Sequence, residues 1–230
     1  IDTDLARAAL RAVDREQAKL RTQCAEATRG EVQAATQRDK LLQFLLREYG
    51  VRLPDMKGST LEKKLEDPDL PEGLKELLRI RLAASTSSTA KYTSLLNGVS
   101  ADGRMRGTLQ MNGAGRTRRA AGRTFQPQNL PSRGLLPNDE TQLGIRAMKA
   151  DAEDMLFGNV MELASSAIRG CIVAPKGRKL VIADLSNIEG RVCAWLAGEE
   201  WKLDAFRAFD AGTGPDLYKL SYAKSFGIRP

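Results

Sequence analysis

The chain has 230 residues, with 36 Lys and Arg against 29 Asp and Glu, a formal net charge of +7 and a pI of about 9.4. That length allows one large or two small domains with a hydrophobic core. The positive charge favours an anionic partner, nucleic acid before membrane, because no basic amphipathic helix or long apolar span is present. The absence of His excludes Ser-His and Cys-His nucleophiles and His-based zinc sites, which leaves carboxylates, Lys, Arg or magnesium for transfer chemistry.

The cysteines and the first residues indicate a cytoplasmic protein. Cys24, Cys171 and Cys193 are an odd, scattered set without Cys-x-x-Cys spacing, as expected of reduced thiols. The chain begins in a helix-like pattern and not in a charged-then-apolar leader, so secretion is not expected.

The first part of the chain, residues 1–97, is predicted to be almost wholly helical. Hydroxyl and carboxyl caps, leucine periodicity and terminating glycines place these elements. The predicted helices cover residues 2–28, 36–50, about 61–65 and 72–96. Within the last, the small, hydroxyl-rich run 83–89 is a poor helix surface unless something packs closely on it. An ordinary helical hairpin explains this region better than a binding site does.

Strand signals begin after residue 98, which predicts an α+β fold: a mainly helical region followed by a small antiparallel sheet with flanking helices. A turn at Pro175-Lys176-Gly177 would join two strands into a hairpin that ends at Asp184. The predicted strands are 104–112, 171–174 and 179–183, and further helical segments are expected at 137–169, 201–209 and 216–226.

Residues 180–191 carry the clearest chemical signal. The short apolar run 180–183 indicates a buried strand that delivers Asp184 to a strand-to-helix corner at the edge of the core. Ser186 and Glu189 have capping-box spacing, and Gly198 suits a helix C-terminus. An apolar helical face is formed by Ile188, Val192, Trp195 and Leu196.

Two interpretations of these acids remain open from the local pattern. A lone buried carboxylate costs several kcal/mol, which favours a metal or active-site role for Asp184. A solvated loop position or a second helix cap explains it equally well. The capping box alone accounts for Glu189, and the five-residue spacing prevents both side chains from sharing one helix face.

A second signal is a stretch from Arg104 to Arg133 that contains no Asp or Glu. Arginines, glycines and amides alternate there, and this mixture suits close approach to phosphates and base edges. A solvated charged face has the same composition. The arginines are Arg104, Arg106, Arg116, Arg118, Arg119, Arg123 and Arg133.

The sequence Ala-Asp-Leu-Ser-Asn-Ile-Glu-Gly-Arg-Val-Cys-Ala-Trp-Leu-Ala-Gly-Glu-Glu, from Ala183, resembles the first catalytic motif of family A DNA polymerases, in its phage and prophage branch. The resemblance implies that Asp184 binds catalytic magnesium and that the backbone carbonyl of Leu185 helps to hold a metal. It implies that Glu189 packs beneath the nucleotide sugar and excludes a 2′-hydroxyl. Gly190 departs from the family pattern, where a larger apolar residue is common.

Residues 117–123 and 128–133 resemble the Thr-Gly-Arg and Gln-Asn-Leu-Pro-x-Arg elements of the same family. The resemblance places Arg119 at the primer end in the minor groove, and Gln128 and Asn129 along the template-primer. It places Arg133 near the nucleotide phosphates. Arg118 stands where the family usually has Gly. Further DNA contacts are expected from Arg118, Arg123 and, in a thumb-like Lys/Ser/Thr-rich element, Lys91.

The resemblance implies part of a DNA-directed DNA polymerase, which adds deoxynucleotides to a primer 3′ end by two-metal phosphoryl transfer with two Mg²⁺ ions. Residues 1–97 would be the thumb, and 98–230 a partial palm with a helical insertion at about 137–169. Fingers and the second carboxylate motif lie outside the chain, so it is expected to be inactive alone. Its partners would be primer-template DNA, deoxynucleoside triphosphates and the rest of the polymerase, without a membrane, in the cytoplasm of a bacterial host.

Two other classes of protein remain possible from the residues. One is a non-catalytic, basic nucleic-acid-binding protein in which Asp184 is incidental. The other is a helical interaction protein whose amphipathic segments assemble with partners.

Overall fold

The computed structural model describes residues 1–84, 90–132 and 135–228. The fold is α+β, as predicted: helices dominate, and one two-stranded antiparallel sheet is present within the described ranges. The chain divides into two compact units, Ile1–Gly177 and Arg178–Pro230. In the part of the chain that the structure describes, no helix is long and apolar enough to cross a membrane.

The first helix, α1, spans Thr3–Ala27 and organises the first unit. Asp2 caps it, since its side chain accepts a hydrogen bond from the backbone N–H of Leu5 at 2.9 Å. At the other end the buried Thr28 hydroxyl lies 2.7 Å from the Cys24 carbonyl and accepts from the Val32 N–H at 3.1 Å. At 1.5 Å per residue, a helix of 25 residues is roughly 37 Å long. It therefore reaches two separate hydrophobic clusters.

The C-terminal half of α1 packs with three helices. They are α2 (Arg38–Tyr49), α3 (Gly58–Leu65) and α4 (Glu72–Ala84). Their shared core is built from leucines, among them Leu41, Leu45, Leu61, Leu74 and Leu78. The predicted helices agree with these, although Gln37 and not Thr36 is the N-cap of α2. The run 85–89 lies outside the described residues, so a continuous helix over 72–96 stays a prediction; α5 spans Ala90–Gly98.

The N-terminal half of α1 packs with α5 and with the helices of the 137–169 stretch, whose predicted helical character is confirmed. These helices are α6 (Asn138–Lys149), α7 (Glu153–Leu156) and α8 (Val160–Ala167), followed by a 3-10 turn at Ile168–Cys171. Gly144 of α6 allows close packing, because a Cβ there would collide with the Leu163 side chain of α8. The core thus joins residues from both sides of position 98.

The sheet is smaller than predicted. Strands β1 (Leu109–Gln110) and β2 (Ala121–Gly122) pair antiparallel, with Leu109 opposite Gly122, and an isolated bridge joins Val99 to Met105. Only this part of the predicted 104–112 strand forms.

The predicted strands at 171–174 and 179–183 are wrong. Cys171 belongs to the 3-10 turn and is fully buried, and its carbonyl accepts from the Asp2 N–H at 2.8 Å. Residues 178–185 have no regular secondary structure, although the turn at Lys176-Gly177 is confirmed. No described strand pairs with either segment, and an isolated hairpin of two short strands is only marginally stable in water.

The second unit contains three consecutive helices: α9 (Ile188–Ala197), α10 (Glu200–Asp210) and α11 (Leu217–Phe226). The last two confirm the predicted helical segments to within a residue. Gly198 ends α9 in the left-handed conformation, with φ 66°, as its position predicts. Arg191 fastens α9 to α10 with two 2.7 Å bonds to Asp210, and its guanidinium lies 4.5 Å from the centre of the Phe206 ring.

Candidate nucleic-acid interface and catalytic segment

The arginine-rich segment contains the β1–β2 hairpin, whose loop covers residues 111–120. Gly113 permits the two strands to come together, because a Cβ there would lie 2.8 Å from the Ala121 Cβ. At the tip, the Arg118 N–H donates to the Ala114 carbonyl at 2.7 Å, and the Ala114 N–H donates to the Arg119 carbonyl at 3.1 Å. These two bonds close a compact turn and return the chain to β2.

Arg118 closes this turn in the left-handed conformation, with φ 58°. That conformation is uncommon for a residue with a side chain and natural for glycine. The position is the one at which the Thr-Gly-Arg element usually has Gly. The backbone therefore favours the register that equates Arg118 with that Gly and Arg119 with the arginine that follows it.

The arginine side chains differ in what they already bind. Arg106 pairs with Asp102 through bonds of 2.9 and 2.7 Å, and this partner lowers the pKa of the Asp102 carboxyl. Arg123 donates from Nε to the Gln110 Oε1 at 2.7 Å. Arg116 and Arg118 are exposed, and neither has an acceptor among the described residues. Arg119 is also exposed.

The Gln-Asn element follows directly on the hairpin. It forms a 3-10 turn at Pro127–Asn129, between Phe125 and Leu130, which are both buried in the first core. A Cβ on Gly122 would collide with the side-chain amide of Gln128, so the absent side chain makes room for that amide against β2. The Asn129 Nδ2 donates to the Gln126 Oε1 at 2.7 Å. Gln128 and Asn129 are both exposed beside the hairpin, as an interface requires.

Arg169 supports this element, a role that the sequence did not reveal. Its guanidinium donates to the carbonyls of Leu130 and Pro131, both at 3.3 Å. These bonds hold the end of the Gln-Asn-Leu-Pro element to the 3-10 turn after α8. Nothing in a sequence separates a structural arginine of this kind from the binding arginines nearby.

Two of the predicted DNA-contact residues remain to be described, Arg133 and Lys91. Arg133 lies outside the described residues. Lys91 is half-buried on α5, next to Tyr92, which is fully buried and donates its hydroxyl to the Ala164 carbonyl at 2.6 Å. Burial raises the pKa of the Tyr92 hydroxyl well above its usual value, so this donor stays protonated.

Asp184 belongs to the second unit, and its predicted rigid corner is wrong. It is exposed on the irregular segment before α9, and the neighbouring Val181 and Ile182 side chains are 83% and 89% exposed. Asp184 is thus not a lone buried carboxylate. The cost of burial therefore gives no reason to prefer a metal ligand over a solvated loop residue at this position. Leu185, the predicted carbonyl ligand, is exposed as well.

The N-cap of α9 is not the residue that the capping-box spacing predicts. Asn187, with φ 55°, is the N-cap of α9, and its side chain makes no capping hydrogen bond. Ser186 lies one residue earlier, where its carbonyl accepts from the Arg191 Nε at 3.0 Å. Glu189 lies in the first turn of α9, and its side chain is exposed.

The predicted apolar face of α9 exists but is not buried. Ile188, Val192 and Leu196 are 43%, 44% and 73% exposed and line an open apolar groove with Cys193 and Ala197. The buried residue of this helix is Ala194.

The oxygen ligands for a metal are present only in part. A carboxylate and a backbone carbonyl, those of Asp184 and Leu185, are the donor types that magnesium prefers. Within residues 1–84, 90–132 and 135–228, no group of three acidic, Cys or His side chains is placed to hold a metal ion. The remaining ligands would have to come from nucleotide phosphates, water and further carboxylates.

Comparisons with known proteins find DNA polymerases. The chain is 33% identical over 183 residues to the DNA polymerase of Bacillus phage SP02, a match that covers 80% of this chain and 27% of that protein. It is 43% identical over 61 residues to DNA polymerase I of Pseudomonas aeruginosa, covering 26% of this chain and 6% of that protein. No family model and no solved structure matches. The chain spans about a quarter of the length of the phage relative, and these similarities support the resemblance drawn from its motifs: in sequence, the chain is similar to part of these DNA polymerases.

Proposed function

We propose that the chain is the part of a DNA polymerase that binds primer-template DNA and supplies the first catalytic carboxylate. Residues 1–97 would act as the thumb, and 98–230 as part of the palm with a helical insertion at about 137–169. The observation that carries the proposal is the polymerase motif around Asp184 in a chain that is 33% identical over 183 residues to a phage DNA polymerase.

The hairpin and the Gln-Asn turn would form the DNA-binding surface. Arg119 and Arg123 provide exposed cations, and Gln128 and Asn129 provide donors and acceptors for base edges and sugars. Their proximity in one anchored segment supports a continuous interface. Arg133 and Lys91 complete the proposed set.

In the proposed reaction the primer 3′-hydroxyl attacks the α-phosphate of a deoxynucleoside triphosphate, and pyrophosphate leaves. Asp184 and the Leu185 carbonyl would supply oxygen ligands for Mg²⁺. Bound magnesium ions would stabilise charge on the attacking and leaving oxygens. Glu189, on the first turn of α9, would pack beneath the sugar and exclude a 2′-hydroxyl.

Substitution of Asp184 in a polymerase that contains this chain tests the catalytic assignment. Asp184→Ala and Asp184→Asn should abolish primer extension, while affinity for primed duplex changes little. Asp204→Ala is the matched control, because Asp204 is also exposed and pairs only with Arg207 of its own helix, at 2.6 Å. Near-normal turnover in the Asp184 variants would refute the assignment.

Two further measurements test the remaining parts of the proposal. The 230-residue chain by itself should bind primed DNA without extending it, since one carboxylate cannot hold two metal ions. Templated extension by the purified chain would contradict this expectation. In the polymerase, Glu189→Ala should increase ribonucleotide incorporation, and unchanged sugar selectivity would remove Glu189 from the site.

A non-catalytic nucleic-acid-binding protein is the second candidate. The incomplete metal-ligand set among the described residues favours it, whereas the polymerase motif around Asp184 does not. DNA binding by the 230-residue chain, together with no templated primer extension by the full protein that contains it, would select this alternative.

A further inference from the structure

We propose that Arg116 and Arg118, at the tip of the β1–β2 hairpin, form an additional phosphate-binding pair that contacts the backbone of bound nucleic acid. This inference rests on the proposed DNA-binding function. It adds Arg116, which belongs to neither motif element, to the expected DNA contacts, and it assigns the phosphate backbone as the ligand of Arg118, which stands at a position that is usually Gly.

The backbone at Arg118 is the first reason. The tip turn is closed by the bond from the Arg118 N–H to the Ala114 carbonyl at 2.7 Å, and the following Arg119 carbonyl accepts from the Ala114 N–H. This path requires a left-handed residue at 118, and its φ is 58°. Glycine adopts that conformation without steric penalty, and a residue with a Cβ does not. Arginine is thus the less stable choice for the fold at this position.

Left-handed residues other than glycine recur around the hairpin. Asn112, Thr124 and Gln126 also have φ between 51° and 58°. Thr124 is β-branched, and such a residue is a genuine outlier at positive φ. Strained backbone of this kind concentrates at ligand-binding segments. Four of these residues fall between positions 112 and 126, in the segment that presents the arginines.

The unsatisfied charge is the second reason. Asp102 already neutralises Arg106, and Gln110 already engages the Arg123 guanidinium. Arg116 and Arg118 are exposed, and the described part of the chain provides neither side chain with a hydrogen-bond or ion-pair partner. The sequence has no acidic residue between Arg104 and Arg133. The tip is therefore a locally uncompensated positive site.

A nucleic-acid backbone is the ligand that this site suits. Guanidinium groups form directed hydrogen bonds with phosphate oxygens. The Gln128 amide packs against Gly122 of β2, so the proposed base-reading turn and the arginine tip belong to one connected structure. A duplex lying on Gln128 and Asn129 would present successive phosphates to the hairpin.

The test measures the affinity of the 230-residue chain for a primed DNA duplex between 50 and 200 mM salt. Each neutralised phosphate contributes about 0.9 to the slope of log affinity against log salt. Arg118→Gly and Arg116→Gln should each reduce the slope by about 0.9 and weaken binding about 8-fold at 0.1 M salt, and the double variant about 60-fold. Arg118→Gly should not lower the melting temperature, because glycine suits the turn.

Arg106→Gln is the matched control. Because the Arg106 guanidinium is already paired with Asp102, this substitution should change the slope of log affinity against log salt much less. Arg118→Asn serves as a second neutral residue that tolerates the left-handed conformation. If the wild-type chain binds primed duplex but the variants at both positions keep its salt slope, the inference is overturned and the proposed function is not affected. No wild-type binding to primed duplex at low salt would overturn the proposed function itself.

Discussion

The ion pair between Arg15 of α1 and Glu153 of α7 is expected to be the strongest charged contact in the first unit. Its Nη2–Oε1 distance is 2.5 Å, and the Glu153 side chain is only 1% exposed, against 48% for Arg15. Arg15 also reaches Asp151 at 3.1 Å. The second carboxylate oxygen of Glu153 is buried and has no hydrogen-bond partner among the described residues. The guanidinium is thus the identified counter-charge of an almost fully buried acid.

Arg15→Ala would leave this carboxylate buried without its cation. Breaking a buried pair in that way costs about 3–5 kcal/mol, because the remaining charge is not resolvated. Water reaches half of the Arg15 side chain and would reach part of the vacated space, so we expect a lower value of about 2–3 kcal/mol. Asp151 would be less affected, because Arg11 still pairs with it at 3.3 Å.

Urea unfolding at neutral pH, analysed by linear extrapolation, measures this loss. Arg7→Ala is the control on the same helix: Arg7 and Asp4 are 3.5 Å apart, with side chains 59% and 86% exposed, so it should change stability by less than about 0.5 kcal/mol. Arg15→Ala combined with Glu153→Gln should recover part of the loss, since an amide carries no charge. Equal stabilities for the Arg15 and Arg7 single variants would refute the reasoning.

Three further predictions follow from single contacts. Tyr92→Phe removes the buried bond to the Ala164 carbonyl and should cost about 1 kcal/mol in urea unfolding without altering helix content by circular dichroism. The Thr60 hydroxyl and the Lys57 N–H lower the pKa of Asp55 to about 2. The stability that Asp55 contributes should therefore be present above about pH 4 and lost as the pH falls to about 2, and Asp55→Asn should remove that part of the acid sensitivity of unfolding. Gly122→Ala displaces the end of the Gln128 side chain and should weaken binding of primed duplex in a fluorescence titration, with little change in melting temperature.

The helices could be predicted closely because their limits are set by local residues. Asp2 caps α1 as expected, and Gly50 and Gly198 end their helices in the left-handed conformation. The caps of α2 and α9 shift by one residue, to Gln37 and Asn187. A cap depends only on residues within its own turn of helix, so the local sequence contains what is needed to predict it.

The strands could not be predicted in the same way, because a strand requires a partner. Apolar residues alternate with other residues in 104–112 and form a continuous run in 180–183, and both patterns are local strand signals. Only the former finds a paired segment, at Ala121–Gly122. Cys171 is drawn into the core between α1 and α8, where burial raises the pKa of its thiol to about 12. Hydrophobic packing there overrides a weak strand preference.

Different kinds of information therefore identify the catalytic segment and the nucleic-acid interface. The position of Asp184 carries no geometric signature: it is exposed, and no acidic cluster surrounds it among the described residues, so its assignment depends on the motif and on the polymerase relatives. For Arg118 the situation is the opposite. Its side chain departs from the motif, which usually has Gly there, but its left-handed backbone conformation identifies the turn. Hence substitution of Asp184 tests the relationship to polymerases. Substitution of Arg118 tests the phosphate contact proposed for a side chain that the motif usually lacks.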